Sequence, residues 1–164
     1  MSKYEVDVHI EISSGSTIKY EIDHETKNLR VDRILHTPMV YFFNYGYILN
    51  TLGGDGDPLD AVVLCDEGIY PTSHIKCKML GVLHTMDESG EDDKIILVPM
   101  DKIDKHSVNV NNITDISEFV KKKLIFFFDN YKKMEPKKWV KINPVFGDKD
   151  KAHKVYTNSL VHKQ

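Results

Sequence analysis

Tyr4-Glu5-Val6-Asp7-Val8-His9-Ile10-Glu11-Ile12 alternates apolar and polar side chains at every step. Successive side chains on a strand point to opposite faces, so this period of two predicts a half-buried β-strand with its tyrosine, valines and isoleucines inward. Ile18, Tyr20 and Ile22 repeat the pattern after Ser13-Ser14-Gly15-Ser16, which reads as a turn, and the two runs are expected to pair as a hairpin. Further strands are predicted around Leu29 to Val31, Ala61 to Leu64, Ile75 to His84 and Lys94 to Val98, each bounded by turn-forming residues.

After Thr114 the period changes. Ile116, Phe119, Val120, Leu124, Phe127, Phe128 and Tyr131 recur at helical spacing, with Asp115 and Glu118 placed to cap the first turn and Pro136 beyond the end. A second helix is expected after Asp148, where Ala152, Val155, Tyr156, Ser159 and Leu160 form one stripe. No repeat, low-complexity tract or linker divides the chain. The expected architecture is α+β and mainly β, one domain over residues 1–164, with a small barrel or curled sheet carrying two flanking helices.

At 164 residues, 41% hydrophobic and 29% charged, the chain is long enough to bury roughly 70% of its unfolded surface without disulfides or a structural metal. A net charge of −3 gives no general attraction to nucleic acid or anionic membrane. No apolar run reaches the ~20 residues of a membrane span, and Met1-Ser2-Lys3-Tyr4-Glu5 lacks a signal-peptide core, so a cytoplasmic protein is expected. Cys65 and Cys77 stand in apolar surroundings without CxxC spacing, and the eight histidines form no zinc motif; reduced, buried thiols are expected.

The chemistry concentrates in Asp55-Gly56-Asp57-Pro58-Leu59-Asp60, three carboxylates on a backbone that turns. Crowded carboxylates repel one another, and a hard cation such as Mg²⁺ relieves that repulsion. The same residues are ordinary turn formers, so on the hexapeptide alone a solvated acidic turn is an equal reading. Asp87-Glu88-Ser89-Gly90-Glu91-Asp92-Asp93 reads by itself as a solvated hairpin tip, unless the tip folds over a barrel mouth and brings Asp87 and Asp92 to Asp55 and Asp60. Lys19, Arg33, Lys94, Tyr41, Tyr45, Tyr131 and Lys132 supply a complement suited to phosphate, although each alone fits a surface or core role.

With these blocks in view the chain resembles the soluble family I inorganic pyrophosphatases of the short, bacterial type. The resemblance rests on Ile18-Lys19-Tyr20-Glu21-Ile22-Asp23, Val31-Asp32-Arg33, Asn44-Tyr45-Gly46-Tyr47-Ile48, the stretch from Asp55 to Ala61, Gly90-Glu91-Asp92, and Tyr131-Lys132 before Lys138-Trp139-Val140, all in the family's order. It implies a five-stranded barrel of the OB type with added hairpin strands, and hydrolysis of pyrophosphate by in-line attack of a metal-bridging water. By resemblance Asp55, Asp60 and Asp92 are ligands of the tightest metals, Asp87 joins Asp92 on a metal arriving with substrate, and Glu21 and Glu11 act from farther out. Asp57 is the implied general base. Lys19, Arg33, Lys94, Tyr131 and Lys132 are the implied phosphate ligands, and Tyr45 a partner within the metal shell, with Tyr41 in support. Several Mg²⁺ ions are implied, with Mn²⁺ or Zn²⁺ as substitutes and Ca²⁺ inhibitory, and a homohexamer, or alternatively a dimer, as the assembly.

The chain departs from the family pattern where Phe42-Phe43 follow Tyr41 in place of a frequent proline, and where Ser13 stands for another. Other classes fit less well. An EF-hand-type calcium loop would need an oxygen ligand at Leu59 and glycine at Asp60. A haloacid-dehalogenase-like phosphatase would need a buried strand where Gly53-Gly54 stand. An OB-fold binder of nucleic acid would line its groove with basic and aromatic groups rather than clustered acids.

Overall fold

The structure, a computed structural model, describes residues 2–161. Its strands are β1 (Glu5–Ile12), β2 (Ile18–Ile22), β3 (Leu29–Ile34), β4 (Asn44–Ile48), β5 (Asp60–Val63), β6 (His74–Leu83), β7 (Thr85–Asp87), β8 (Gly90–Glu91), β9 (Lys94–Pro99), β10 (Val140–Ile142) and β11 (Gly147–Asp148). Two helices follow the barrel strands, α1 (Glu118–Asn130) and α2 (Lys149–Ser159).

Five strands pair in the order β1-β4-β5-β9-β6, and β6 returns to pair with β1, closing an OB-type barrel. Closure depends on the length of β6: its first half pairs with β1 (Lys78↔Glu5, His74↔His9), while the stretch from Cys77 to Leu83 pairs with β9. An irregularity between Met79 and Gly81 lets one strand serve both partners. β5 and β9 run parallel, and from Ala61 and Lys94 onward both are buried at every position, as a parallel pair covered on both faces requires.

The alternation sorts these side chains into two cores. Val8, Ile10, Ala61, Val63, Ile95 and Leu97 pack in one, reached by Ala152 of α2. Val62, Ile96, Tyr41, Phe43 and Tyr45 pack in the other with Leu124, Phe127 and Phe128 of α1. Among the described residues no helix is long and apolar enough to cross a membrane.

Three local expectations are corrected. β1 does not pair with β2: the 13–16 turn hydrogen-bonds instead to Tyr41, whose N–H donates to Ser16 O at 2.9 Å and whose carbonyl accepts from Gly15 N at 2.7 Å. This frees β2 to form a separate ribbon with β3, and it fixes Tyr41 without the missing proline. α1 begins two residues later than predicted, because Ser117 accepts from Val120 N while Asp115 is engaged by the N–H groups of Asn111 and Asn112. Phe119 of the predicted stripe is 70% exposed.

β4 was not predicted from periodicity. Its Tyr45 and Tyr47 have strand character, but Gly46 interrupts the signal. The glycine is required by proximity: a Cβ there would stand 1.8 Å from the His9 carbonyl oxygen of β1. Gly46→Ala is therefore expected to push β4 off β1 and to lower unfolding free energy by about 1–3 kcal/mol in urea melts. An unchanged midpoint would contradict the close approach.

Candidate active site

The polar face of β1 is exposed at Asp7 and covered beyond it. His9 and Glu11 are covered, and Glu11 joins the wall of a cleft of about 190 Å³ at the barrel mouth. The 53–60 loop enters this cleft from below. Gly53 N donates to Asp57 O at 2.6 Å, and Leu59, buried, donates its N–H to Thr51 Oγ1 at 2.9 Å, so the loop is anchored by its apolar end. Gly56 takes φ +88°, a left-handed angle that glycine adopts without strain. The loop thereby turns Asp55, Asp57 and Asp60 into one space.

The β7–β8 hairpin folds over the same mouth and adds Asp87 and Asp92. β2 contributes Lys19 and Glu21, and Tyr41, Tyr45 and Tyr131 complete the wall from the aromatic core. Two predicted residues lie just outside the lining. Lys132 reaches in through its 3.1 Å pair with Asp87 Oδ2, and Arg33 is drawn back to Asp32 and Glu135.

Lys94 is the electrostatic centre. Only 2% exposed, its Nζ lies 2.6 Å from Asp60 Oδ2 and 2.6 Å from Asp92 Oδ2, with the Tyr45 and Phe128 rings beside it. Burial opposes its charge, but Asp60 and Asp92 outweigh burial and hold the ammonium protonated. Burial pushes Asp60 well above the usual carboxylate range despite Lys94. Asp92 resists the same burial, because Lys94 and hydrogen bonds from the neighbouring carboxyls hold it below that range. Asp55 is pushed up to about 6 by burial and by the charges of Asp92 and Asp57. Burial takes Glu11 to about 7, against the 2.8 Å hydrogen bond that Ile22 N donates to it. Burial also raises the Tyr45 and Tyr131 phenols, the latter to about 12, so both stay neutral donors.

Eight carboxyl groups line the cleft against three lysines, Lys19, Lys94 and Lys138. Burial is the main cause of the raised Glu11, Asp55 and Asp60, and the charges of neighbouring carboxyls add to it. The carboxylates that dominate the lining are oxygen donors, which suits a hard cation such as Mg²⁺. Among the described residues no group of three or more forms a preassembled metal shell. Instead the Lys94 ammonium occupies the space between Asp60 and Asp92.

Sequence reasoning missed Glu88, which binds Lys138 at 3.1 Å and approaches Lys132 at 3.9 Å. It lay inside the acidic run, and nothing in its spacing set it apart. Lys138 was legible only as part of the block before Trp139. His24, Tyr47 and Ser89 also line the cleft unpredicted.

A model of the inorganic pyrophosphatase family matches residues 8–164. The chain belongs to the inorganic pyrophosphatase family. The pyrophosphatase of Helicobacter pylori is 46% identical over 153 residues, 93% of this chain and 88% of that one. That of Saccharolobus solfataricus is 48% identical over 139 residues, 85% of this chain and 81% of its own. A solved H. pylori inorganic pyrophosphatase superposes with a TM-score of 0.92 at 45% identity, covering 96% of this chain and 92% of that one. The Thermus thermophilus enzyme gives 0.90 at 34% identity, covering 95% and 89%. Members of this pyrophosphatase family are hydrolases that generally use divalent metals.

Proposed function

We propose that the chain hydrolyses inorganic pyrophosphate to two orthophosphates in a Mg²⁺-dependent reaction. The observation that carries this is the excess of eight carboxyl groups over three lysines in one cleft, beside Arg33 and Lys132. A phosphoanhydride needs positioning and charge neutralisation more than covalent help, and that combination of groups supplies both.

In this reading Asp55, Asp60, Asp87 and Asp92 hold the metals, with Glu21 and Glu11 acting on them from farther out. Bound Mg²⁺ supplies neutralisation of the phosphate charge and acidification of water. Asp57 accepts the proton of the attacking water. Lys19, Arg33, Lys94 and Lys132 receive phosphoryl oxygens at several angles, and Tyr45 and Tyr131, kept neutral, donate single hydrogen bonds. Tyr41 supports them from the aromatic core. Asp60 and Asp92 would share their charge between Lys94 and a bound Mg²⁺, which would leave the Lys94 ammonium better able to meet a phosphoryl oxygen.

Phosphate release from pyrophosphate is the test. We expect release with Mg²⁺, weaker support by Mn²⁺ or Zn²⁺, inhibition by Ca²⁺, and no binding of single-stranded DNA. Absence of Mg²⁺-dependent release overturns the reading. Resemblance to the short, bacterial-type members favours a homohexamer, with a dimer as the alternative; a sizing column separates the two.

A further inference from the structure

Glu135 is a buried carboxylate, 8% exposed, with no part in the chemistry above. It lies in the turn after α1, where its N–H donates to Lys132 O at 3.1 Å, so it shares a segment with Tyr131 and Lys132. Its Oε1 stands 3.0 Å from Nε of Arg33 on β3. The approach is off the N–H axis: Arg33 Nε has no aligned acceptor and Glu135 Oε2 no partner, though both atoms are buried. The buried carboxylate thus faces the base of the Arg33 guanidinium and leaves the terminal N–H groups of that fork to other partners.

The outer end of Arg33 is held differently. Its Nη1 donates to Asp32 Oδ2, whose side chain is 31% exposed and is shared with Lys19 Nζ at 3.4 Å. That solvated contact is weak and exchangeable. The pair with Glu135 is dry. Arg33 also lies near enough to Tyr41 and Tyr131, both in the cleft wall, for its charge to favour their ionised forms.

We propose that Glu135 is a positioning residue for pyrophosphate: it pins the Arg33 guanidinium at Nε, so that the terminal N–H groups pivot from Asp32 to a phosphoryl oxygen in a fixed orientation. This rests on the reading of Arg33 as a phosphate ligand. A fork fixed at its base loses less freedom when it closes on an anion, which is how pre-organisation strengthens binding. It also links β3 to the turn carrying Lys132, so the two cations move as a unit.

The test uses Glu135→Gln, Glu135→Ala, Arg33→Gln and the Glu135→Gln/Arg33→Gln double variant, in steady-state kinetics at saturating Mg²⁺ with thermal melts alongside. Glutamine keeps the shape and removes the charge. A residue acting only through its negative charge would, when neutralised, tighten anion binding and lower KM. A pivot predicts the reverse: KM rises and kcat/KM falls about tenfold in Glu135→Gln and further in Glu135→Ala. In the Arg33→Gln background the same change is expected to cost less than about twofold, since the two act through one interaction.

The melting temperature of Glu135→Gln is expected to fall modestly, because Arg33 loses a buried counter-charge but keeps Asp32. If Arg33→Gln leaves both constants unchanged, Arg33 is not a phosphate ligand and the underlying reading fails. If Arg33→Gln is impaired, the pivot is overturned by a Glu135→Gln enzyme with wild-type constants, by one with lowered KM, or by an effect undiminished in the double variant. A loss of kcat/KM that disappears when the assay is run well below the variant's melting range marks a structural role and equally overturns it.

Discussion

Replacing Asp57 by asparagine is expected to lower kcat for pyrophosphate by about 10²–10⁴-fold, the range that loss of a positioned general base produces. Asp57 stands on the crest of its loop, with its N–H donated to Asp55 Oδ1 at 3.0 Å. Among the described residues no side chain binds its carboxylate, whereas Asp60, Asp87 and Asp92 are all engaged by lysines. It is thus the carboxylate in the loop left available to accept a proton. Being exposed, it contributes little to the fold, and the variant's unfolding free energy is expected to stay within about 0.5 kcal/mol of wild type.

The charge of Asp57 also raises its neighbours Glu11 and Asp55. Asparagine removes that repulsion, so both carboxyls ionise at lower pH and the residual activity extends further to the acid side. Turnover measured from pH 5 to 9 checks both effects. Wild-type kcat at neutral pH would take the base role away from Asp57.

Lys94→Met is expected to give the largest loss of stability. Its ammonium serves two buried carboxylates at once, and removing it leaves Asp60 and Asp92 facing each other without a cation. Breaking a buried ion pair from one side costs about 3–5 kcal/mol. The sign with pH follows from the carboxyls. In the wild type Lys94 holds Asp92 low, so its contribution is present above the unfolded pKa of 3.8 and is lost only as pH falls below it. In the variant both folded-state pKa values rise above the unfolded ones, so stability is retained at acid pH, where the carboxyls keep protons, and is lost as pH rises through those values. Urea melts in EDTA should therefore show a smaller loss at pH 5 than at pH 8, and Mg²⁺ should restore part of the loss at pH 8. Equal losses at both pH values would mean that Lys94 acts through packing on Tyr45 and Phe128 and not through charge.

The strands that alternate strictly were legible because burial on one face leaves a period of two in the chain. β1 shows the limit of that signal: Glu11 reads as a solvated residue, yet the cleft covers it, and no local pattern distinguishes a polar face turned to water from one turned to a site. The hairpin expected between β1 and β2 failed because the turn's hydrogen-bonding partner, Tyr41, lies about 25 residues away, beyond any local window. The acidic loop and its basic complement stood out because they are charged, but each alone fitted a solvated role, and Glu11 and Glu21 were singled out only through the family resemblance. Glu135 did not stand out, since a single acid in a charged turn carries no periodicity. Its meaning comes only from Arg33, placed beside it by the packing of α1 on the barrel.

Asp60 and Lys94 are direct register partners at the start of the parallel β5–β9 pair. A slip of one residue would set Lys94 opposite Ala61 and leave an ammonium against an apolar core, an error far costlier than mismatching valines. The charges proposed for the site thus also penalise misregistered closure of the barrel. A chain that folds into the wrong register forfeits catalytic competence and stability together, and recovery of activity on refolding serves as a readout of correct strand alignment.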